Sequence, residues 1–166
     1  MTIRKSQKLA GGIALSVVLL DLVTKLWVQK SLGLYTAKAV IPGFFNIVHV
    51  LNRGAAFGFL NRSDIRWQTY FFFAATALAV LIINHLLRMA REGDWLLVIG
   101  LGLILGGALG NLIDRIKTGE VVDFLDFYWK SYHWPAFNVA DMAIFLGSMA
   151  LLMAFYRLRR PPSRES

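Results

Sequence analysis

The sequence predicts an all-α membrane protein with four transmembrane helices. Of its 166 residues 57% are hydrophobic and only 17% charged, too apolar a balance for an ordinary soluble domain. The apolar residues also gather into four runs long enough to cross a bilayer, over residues 9–28, 67–87, 95–113 and 138–156. A third observation is where the charge lies. The net charge is +8, but many of the basic residues flank the apolar runs, as topology signals do, so no nucleic-acid partner is expected. One membrane domain over residues 1–166 is the expected organisation.

Several chemistries are excluded early. The chain has no cysteine, hence no disulfide framework, thiol nucleophile or cysteine-ligated metal. His49, His85 and His133 lie far apart and lack the His-Glu-x-x-His spacing, so no metal and no cofactor are expected.

Arg4, Lys5 and Lys8 precede the first run, which no small-residue cleavage site closes, so it reads as a retained span. Asp21 and Lys25 interrupt its second half four residues apart, an acid and a base on one helix face in the favourable order, and they are expected to neutralise one another.

The mixed stretch after this span contains a Pro42-Gly43 turn signal and then an alternation from Phe45 to Asn52 that reads as a strand. Asn52, Gly54, Ala55 and Ala56 follow, small enough for another backbone to approach, although a glycine turn of a hairpin explains them as well. The second run is uncharged and reads as scaffold. The third carries Gly102, Gly106 and Gly110 on one stripe, permitting close helix contact. Its outer end holds Asn111, Asp114 and Arg115; arginine suits a helix C-terminus, whereas Asp114 does not and needs a partner. Residues 121–129 are β-branched and aromatic, fitting a strand or an interfacial segment, and Trp129, Tyr132 and Trp134 suit the headgroup region. The fourth run ends in Arg157, Arg159 and Arg160, and the tail 157–166 is expected to be disordered.

Lys and Arg divide evenly between the two sides of such a bundle. They are denser at the termini and at Arg88 and Arg91, which predicts cytoplasmic termini with the two long segments outside. That topology brings Asn52, Asn111, Asp114, Arg115, Asp123, Asn138 and Asp141 to one level near the outer surface. Taken alone, Asn138 and Asp141 are explained as a helix N-cap and an acidic third residue. Asp123 changes the reading, because two neighbouring carboxylates share a proton, leaving one as base and the other as acid.

These blocks, Asp21-x-x-Thr24-Lys25, Asn52-x-Gly54-Ala55-Ala56-Phe57, Gly110-Asn111-x-x-Asp114-Arg115, Val121-x-Asp123-Phe124 and Phe137-Asn138-x-Ala140-Asp141, resemble the lipoprotein signal peptidases, the signal peptidase II family of aspartyl intramembrane proteases. The resemblance covers nearly the whole chain. It implies a bacterial inner-membrane endopeptidase that removes the signal peptide of a prolipoprotein before its diacylglyceryl-modified cysteine. Asp123 and Asp141 match the catalytic dyad; Asn52, Gly54, Asn111, Arg115 and Asn138 match the substrate site; Asp21, Lys25 and Asp114 match structural supports. The resemblance further implies a small extracytoplasmic β-cradle over about residues 34–60, whose Phe44, Phe45, Phe57 and Phe59 face lipid or peptide or pack on their own spans. Partners implied are membrane lipid, diacylglyceryl-prolipoproteins and globomycin-like peptide inhibitors. Intramembrane acids also mark proton-coupled transporters, but those place ionisable groups near the midplane and show broken spans or repeats. A membrane adaptor would leave the two acids without a use.

Overall fold

The computed structural model describes residues 4–54, 67–91 and 93–158, and in them eight elements follow one another. These are α1 (Lys5–Ser31), β1 (Ala37–Ile41), β2 (Phe45–Asn52), α2 (Trp67–Met89), α3 (Trp95–Thr118), β3 (Val121–Trp129), β4 (Tyr132–His133) and α4 (Val139–Leu158). Four helices are long and apolar enough to cross a membrane, and a small antiparallel sheet in the order β1-β2-β3-β4 sits at one end of them. The fold class expected from the sequence is the one observed.

Helix α3 is the axis of the bundle. Half of its apolar window is buried, 50% against 11% for α2, while large side chains such as Leu81, Phe145 and Leu152 point outward where lipid would lie. Apolar surface gives helices no reason to leave lipid for one another, so their association rests on close packing, and small residues permit it. A methyl group added at Gly106 would lie 2.7 Å from Val17 Cβ, and one at Gly102 3.0 Å from Ile13 Cβ, so the expected stripe is the seat of α1. A second stripe, Gly100 and Gly107, seats α4 against Gly147 and Ala140. Far from the sheet, Ser6 Oγ donates to the Leu87 carbonyl at 3.1 Å, Gln7 Nε2 donates to Asn84 Oδ1 at 2.8 Å, and Arg4 reaches the Arg88 carbonyl, tying α1 to α2.

Two expectations change. The third span was expected to end near residue 113 in a polar cluster, yet α3 continues to Thr118 and stops at Gly119, whose φ of +79° suits the left-handed cap. Asn111, Asp114 and Arg115 therefore project from a regular helix, because partners on other elements satisfy them and nothing breaks the turn. At the C-terminus, Arg157 and Leu158 belong to α4 rather than to a tail; residues 159–166 lie outside the described residues, as do residues 55–60 of the expected cradle, with Phe57 and Phe59.

The stretch 121–129 is a strand. It pairs with β2 across a bulge, Ile47 facing Leu125 but Val50 facing Asp123, so β2 carries one more residue than β3 between these pairs. Phe44 and Phe45 pack on Phe127, with ring centroids 5.4 and 4.7 Å away. The cradle phenylalanines within the described residues thus hold the sheet together, although Phe44 stays 47% exposed.

The glycine contacts separate two substitutions that look alike in sequence. Gly106→Ala should lower the thermal unfolding temperature of the purified protein, with overpacking costing about 1–3 kcal/mol. Gly12→Ala, on a helix face with nothing within 4 Å, should be neutral or stabilising through helix propensity. Equal melting of the two variants would refute the packing account.

Candidate active site

Five elements meet at the sheet end of the bundle. Phe137 pairs by backbone with β3, its N–H donating to the Leu125 carbonyl at 3.1 Å and its carbonyl accepting from the N–H groups of Phe124 (3.0 Å) and Leu125 (2.8 Å). That stitch sets the next residue, Asn138, beside Asp123 just as the chain turns into α4.

Asn138 is fully buried and bridges both acids. Its Nδ2 donates to Asp123 Oδ1 at 2.6 Å, its backbone N–H donates to Asp141 Oδ2 at 3.3 Å, and its Oδ1 accepts from the Asp141 N–H at 3.0 Å. The reciprocal Asn138–Asp141 pair is a helix cap, as expected from sequence. Only one Asp141 oxygen is engaged in it. The other, Oδ1, accepts from Asn111 Nδ2 at 2.8 Å.

Asp123 receives its second bond from Asn52, Nδ2 to Oδ2 at 3.1 Å. Asn52 pairs with Val121, two residues from Asp123, so the two side chains share one face of the sheet on a diagonal. Burial, and then the negative charge of Asp141, pushes the Asp123 carboxyl up to about 7, while the bonds from Asn52 and Asn138 oppose the rise.

The supports form a second layer. Lys25 Nζ has three acceptors, Asp21 Oδ2 at 2.7 Å, Asp114 Oδ2 at 2.8 Å and Asn111 Oδ1 at 3.1 Å. The Asp21–Lys25 pair thus does more than neutralise itself, and Asp114 has the partner its position demanded. Asp21 Oδ1 also accepts from the Ala140 N–H at 3.0 Å, in the first turn of α4, and Asp114 Oδ2 accepts from the Val122 N–H at 3.3 Å.

Arg115 engages its two terminal nitrogens with the protein, and its buried Nε has no hydrogen-bond partner among the described residues. It donates to the Gly54 carbonyl at 2.8 Å and the Asn111 carbonyl at 3.3 Å, and its guanidinium carbon lies 4.0 Å from the centre of the Phe72 ring. In this structure it anchors the end of the β2 segment. Phe72 gave no sequence signal within its apolar run.

Sequence reasoning also passed over Asp126. Three residues from Asp123 on one strand, it faces the other side of the sheet, where Asn46 donates to it at 2.8 Å and the His133 ring lies 2.9 Å away. Strand alternation already separates it from the site.

A bundle of four membrane-length helices with a buried carboxylate cluster at one end defines a multi-pass membrane protein. The family model for Signal peptidase (SPase) II matches residues 13–157. A lipoprotein signal peptidase of Maridesulfovibrio salexigens is 56% identical over 149 residues, 90% of this chain and 96% of the relative. One of Geobacter metallireducens is 46% identical over 153 residues, 92% and 93% of the two chains. A solved structure described as a bacterial membrane enzyme superposes with a TM-score of 0.82 at 31% identity, covering 95% of this chain and 93% of its own. The chain belongs to the signal peptidase II family, a family of aspartyl proteases.

The raised Asp123 carboxyl links stability to pH. Between about pH 4 and 7 the folded protein holds a proton there that the unfolded chain, with the ordinary value of 3.8, has lost. The folded state binds more protons, so this group's contribution turns against folding as pH rises through that window. Asp123→Asn cannot ionise, and its melting temperature relative to wild type should climb from pH 4 to 7 and then level off. A difference independent of pH would contradict the buried, protonated carboxyl.

Proposed function

We propose that this protein is a lipoprotein signal peptidase in which Asp123 and Asp141 hydrolyse the peptide bond preceding the diacylglyceryl-modified cysteine of a prolipoprotein. The observation that carries the reading is Asn138, which contacts both carboxyl groups at once while Asp123 keeps its proton close to neutral pH. Such a pair holds one proton and one negative charge. The ionised member takes a proton from water as the oxygen attacks the scissile carbonyl, and the protonated member delivers its proton to the departing nitrogen. The pair holds two protons after water attacks, and once the nitrogen has been protonated and the C–N bond has broken it is back to a single shared proton.

Family resemblance and the density of basic residues support a bacterial inner-membrane location with cytoplasmic termini, which places the carboxylates near the periplasmic face. A signal peptide is an apolar helix, and two acyl chains are apolar tails, so both reach that level by lateral movement in the lipid. Asn52, Gly54, Asn111, Arg115 and Asn138 surround the path of the substrate backbone. A globomycin-like cyclic depsipeptide is the expected inhibitor of this site.

Asp→Asn keeps shape but cannot alternate between base and acid. Asp123→Asn and Asp141→Asn should each abolish cleavage of a lipidated precursor, and the double variant should lose little more, because groups acting as a unit are non-additive. If Asp141 serves only as a helix cap, its variant instead keeps most activity and loses about 1 kcal/mol of stability. Substantial turnover by either single variant defeats the dyad.

Lipid supplies the second check. An unlipidated precursor should be cleaved far more slowly in the same membranes, since each buried methylene contributes about 0.8 kcal/mol of anchoring. Comparable rates for the two precursors would remove diacylglycerol from the recognition.

A further inference from the structure

At the end of the bundle remote from the carboxylates, the first turn of α1, the link following α2 and the start of α3 enclose a cavity of about 600 Å³. Arg4, Lys5 and Arg91 line it together with Trp95 and the buried Val98, so cations stand over an apolar floor. Topology signalling requires cations near helix ends, but it does not require three of them around one hollow.

The lining offers little to neutralise them. Among the described residues its acid is Asp94, turned back on the link, its Oδ2 accepting from the Arg91 N–H at 2.9 Å. Neither α1 nor α3 carries an acid in its first turn, so the positive ends of both helix dipoles add to the field, against the negative end of α2 and the Asp94 cap of α3. Even counting Glu92, which lies outside the described residues, the sequence here is positive: Arg4, Lys5, Lys8, Arg88 and Arg91 against Glu92 and Asp94. Arg4 is also fixed by its bond to the Arg88 carbonyl, which holds its guanidinium between the helices.

We propose that this cavity binds the phosphate of an anionic phospholipid headgroup, with Arg4, Lys5 and Arg91 holding the phosphodiester and Trp95 and Val98 receiving the glycerol and upper acyl carbons. A lipid fits better than free phosphate because the floor is apolar and continues along α3 onto lipid-facing surface, where Trp95 is 65% and Ile99 39% exposed. Indole rings favour this depth of the bilayer, and basic pockets between helix ends take phospholipid headgroups. The site is independent of the carboxylate chemistry, and its test uses no activity.

The full chain, purified in neutral detergent, is titrated with phosphatidylglycerol, with phosphatidylcholine and with inorganic phosphate, while thermal unfolding and bound lipid are recorded. Phosphatidylglycerol should bind and raise the melting temperature; phosphatidylcholine, whose choline cation Arg4, Lys5 and Arg91 repel, should do so far more weakly, and inorganic phosphate should do neither at equal concentration. Each of Arg4→Gln, Lys5→Gln and Arg91→Gln should weaken binding about fivefold, and the triple variant on the order of a hundredfold. The charge-keeping set Arg4→Lys, Lys5→Arg and Arg91→Lys should restore most of it, separating lost binding from lost folding. Arg157→Gln, at the same end of the bundle but outside the cavity, should bind as wild type does. Wild-type binding by the triple glutamine variant, an equal loss in Arg157→Gln, or equal protection by inorganic phosphate would each overturn the proposal.

Discussion

The Lys25 ammonium is the constraint on which the carboxylate end of the molecule depends. A cation inside a helix bundle is costly unless it is paired, and here Nζ has two carboxylate oxygens and an amide oxygen within 3.1 Å. Two of those acceptors, Asp114 and Asn111, belong to α3 and the third, Asp21, to α1 itself. Asp21 in turn reaches the Ala140 N–H, so one side-chain cluster fixes α1, α3 and the first turn of α4 relative to one another. Gly110 makes this possible: a methyl group there would lie 2.7 Å from Asp21 Oδ2.

That cluster also sorts the acids. Among the described residues, Asp21, Asp114, Asp123 and Asp141 face two cations, Lys25 and Arg115, so full ionisation of these groups would leave a net negative charge. Asp21 and Asp114 each touch the ammonium directly. Asp123 has only the neutral amides of Asn52 and Asn138 as donors and lies deep in the sheet, which is why the proton resides there near neutral pH. Asparagine suits this work because it supplies donors and acceptors without adding charge. Asn111 accepts a hydrogen bond from Lys25 on its oxygen and donates one from its amide nitrogen to Asp141, so the support layer orients the acid through it.

The sheet contributes geometry more than surface. The β2 bulge and the Phe137 stitch together set the relation of Asn52, Asp123 and Asn138, three residues spread over more than eighty positions of the chain. Arg115, expected among the substrate contacts, holds the Gly54 carbonyl and so tethers the segment that follows Asn52.

Much of this was legible because membranes make sequence patterns strict. Four apolar runs give four helices, since backbone polar groups in lipid must be satisfied within the segment. The glycine stripe on α3 announced a close helix contact, and polar residues inside apolar runs are expensive enough that Asp21, Lys25, Asn111 and Asp114 had to have partners. What the chain alone left open were the partners themselves. Lys25 joining Asp114, Asn138 lying between two acids, the continuation of α3 past its apolar run and the role of Arg115 all depend on contacts between residues distant in sequence. Local propensity carries no information about such contacts. Only the packed bundle, with α1 and α4 seated on different glycine stripes of α3, brings those groups within hydrogen-bonding reach.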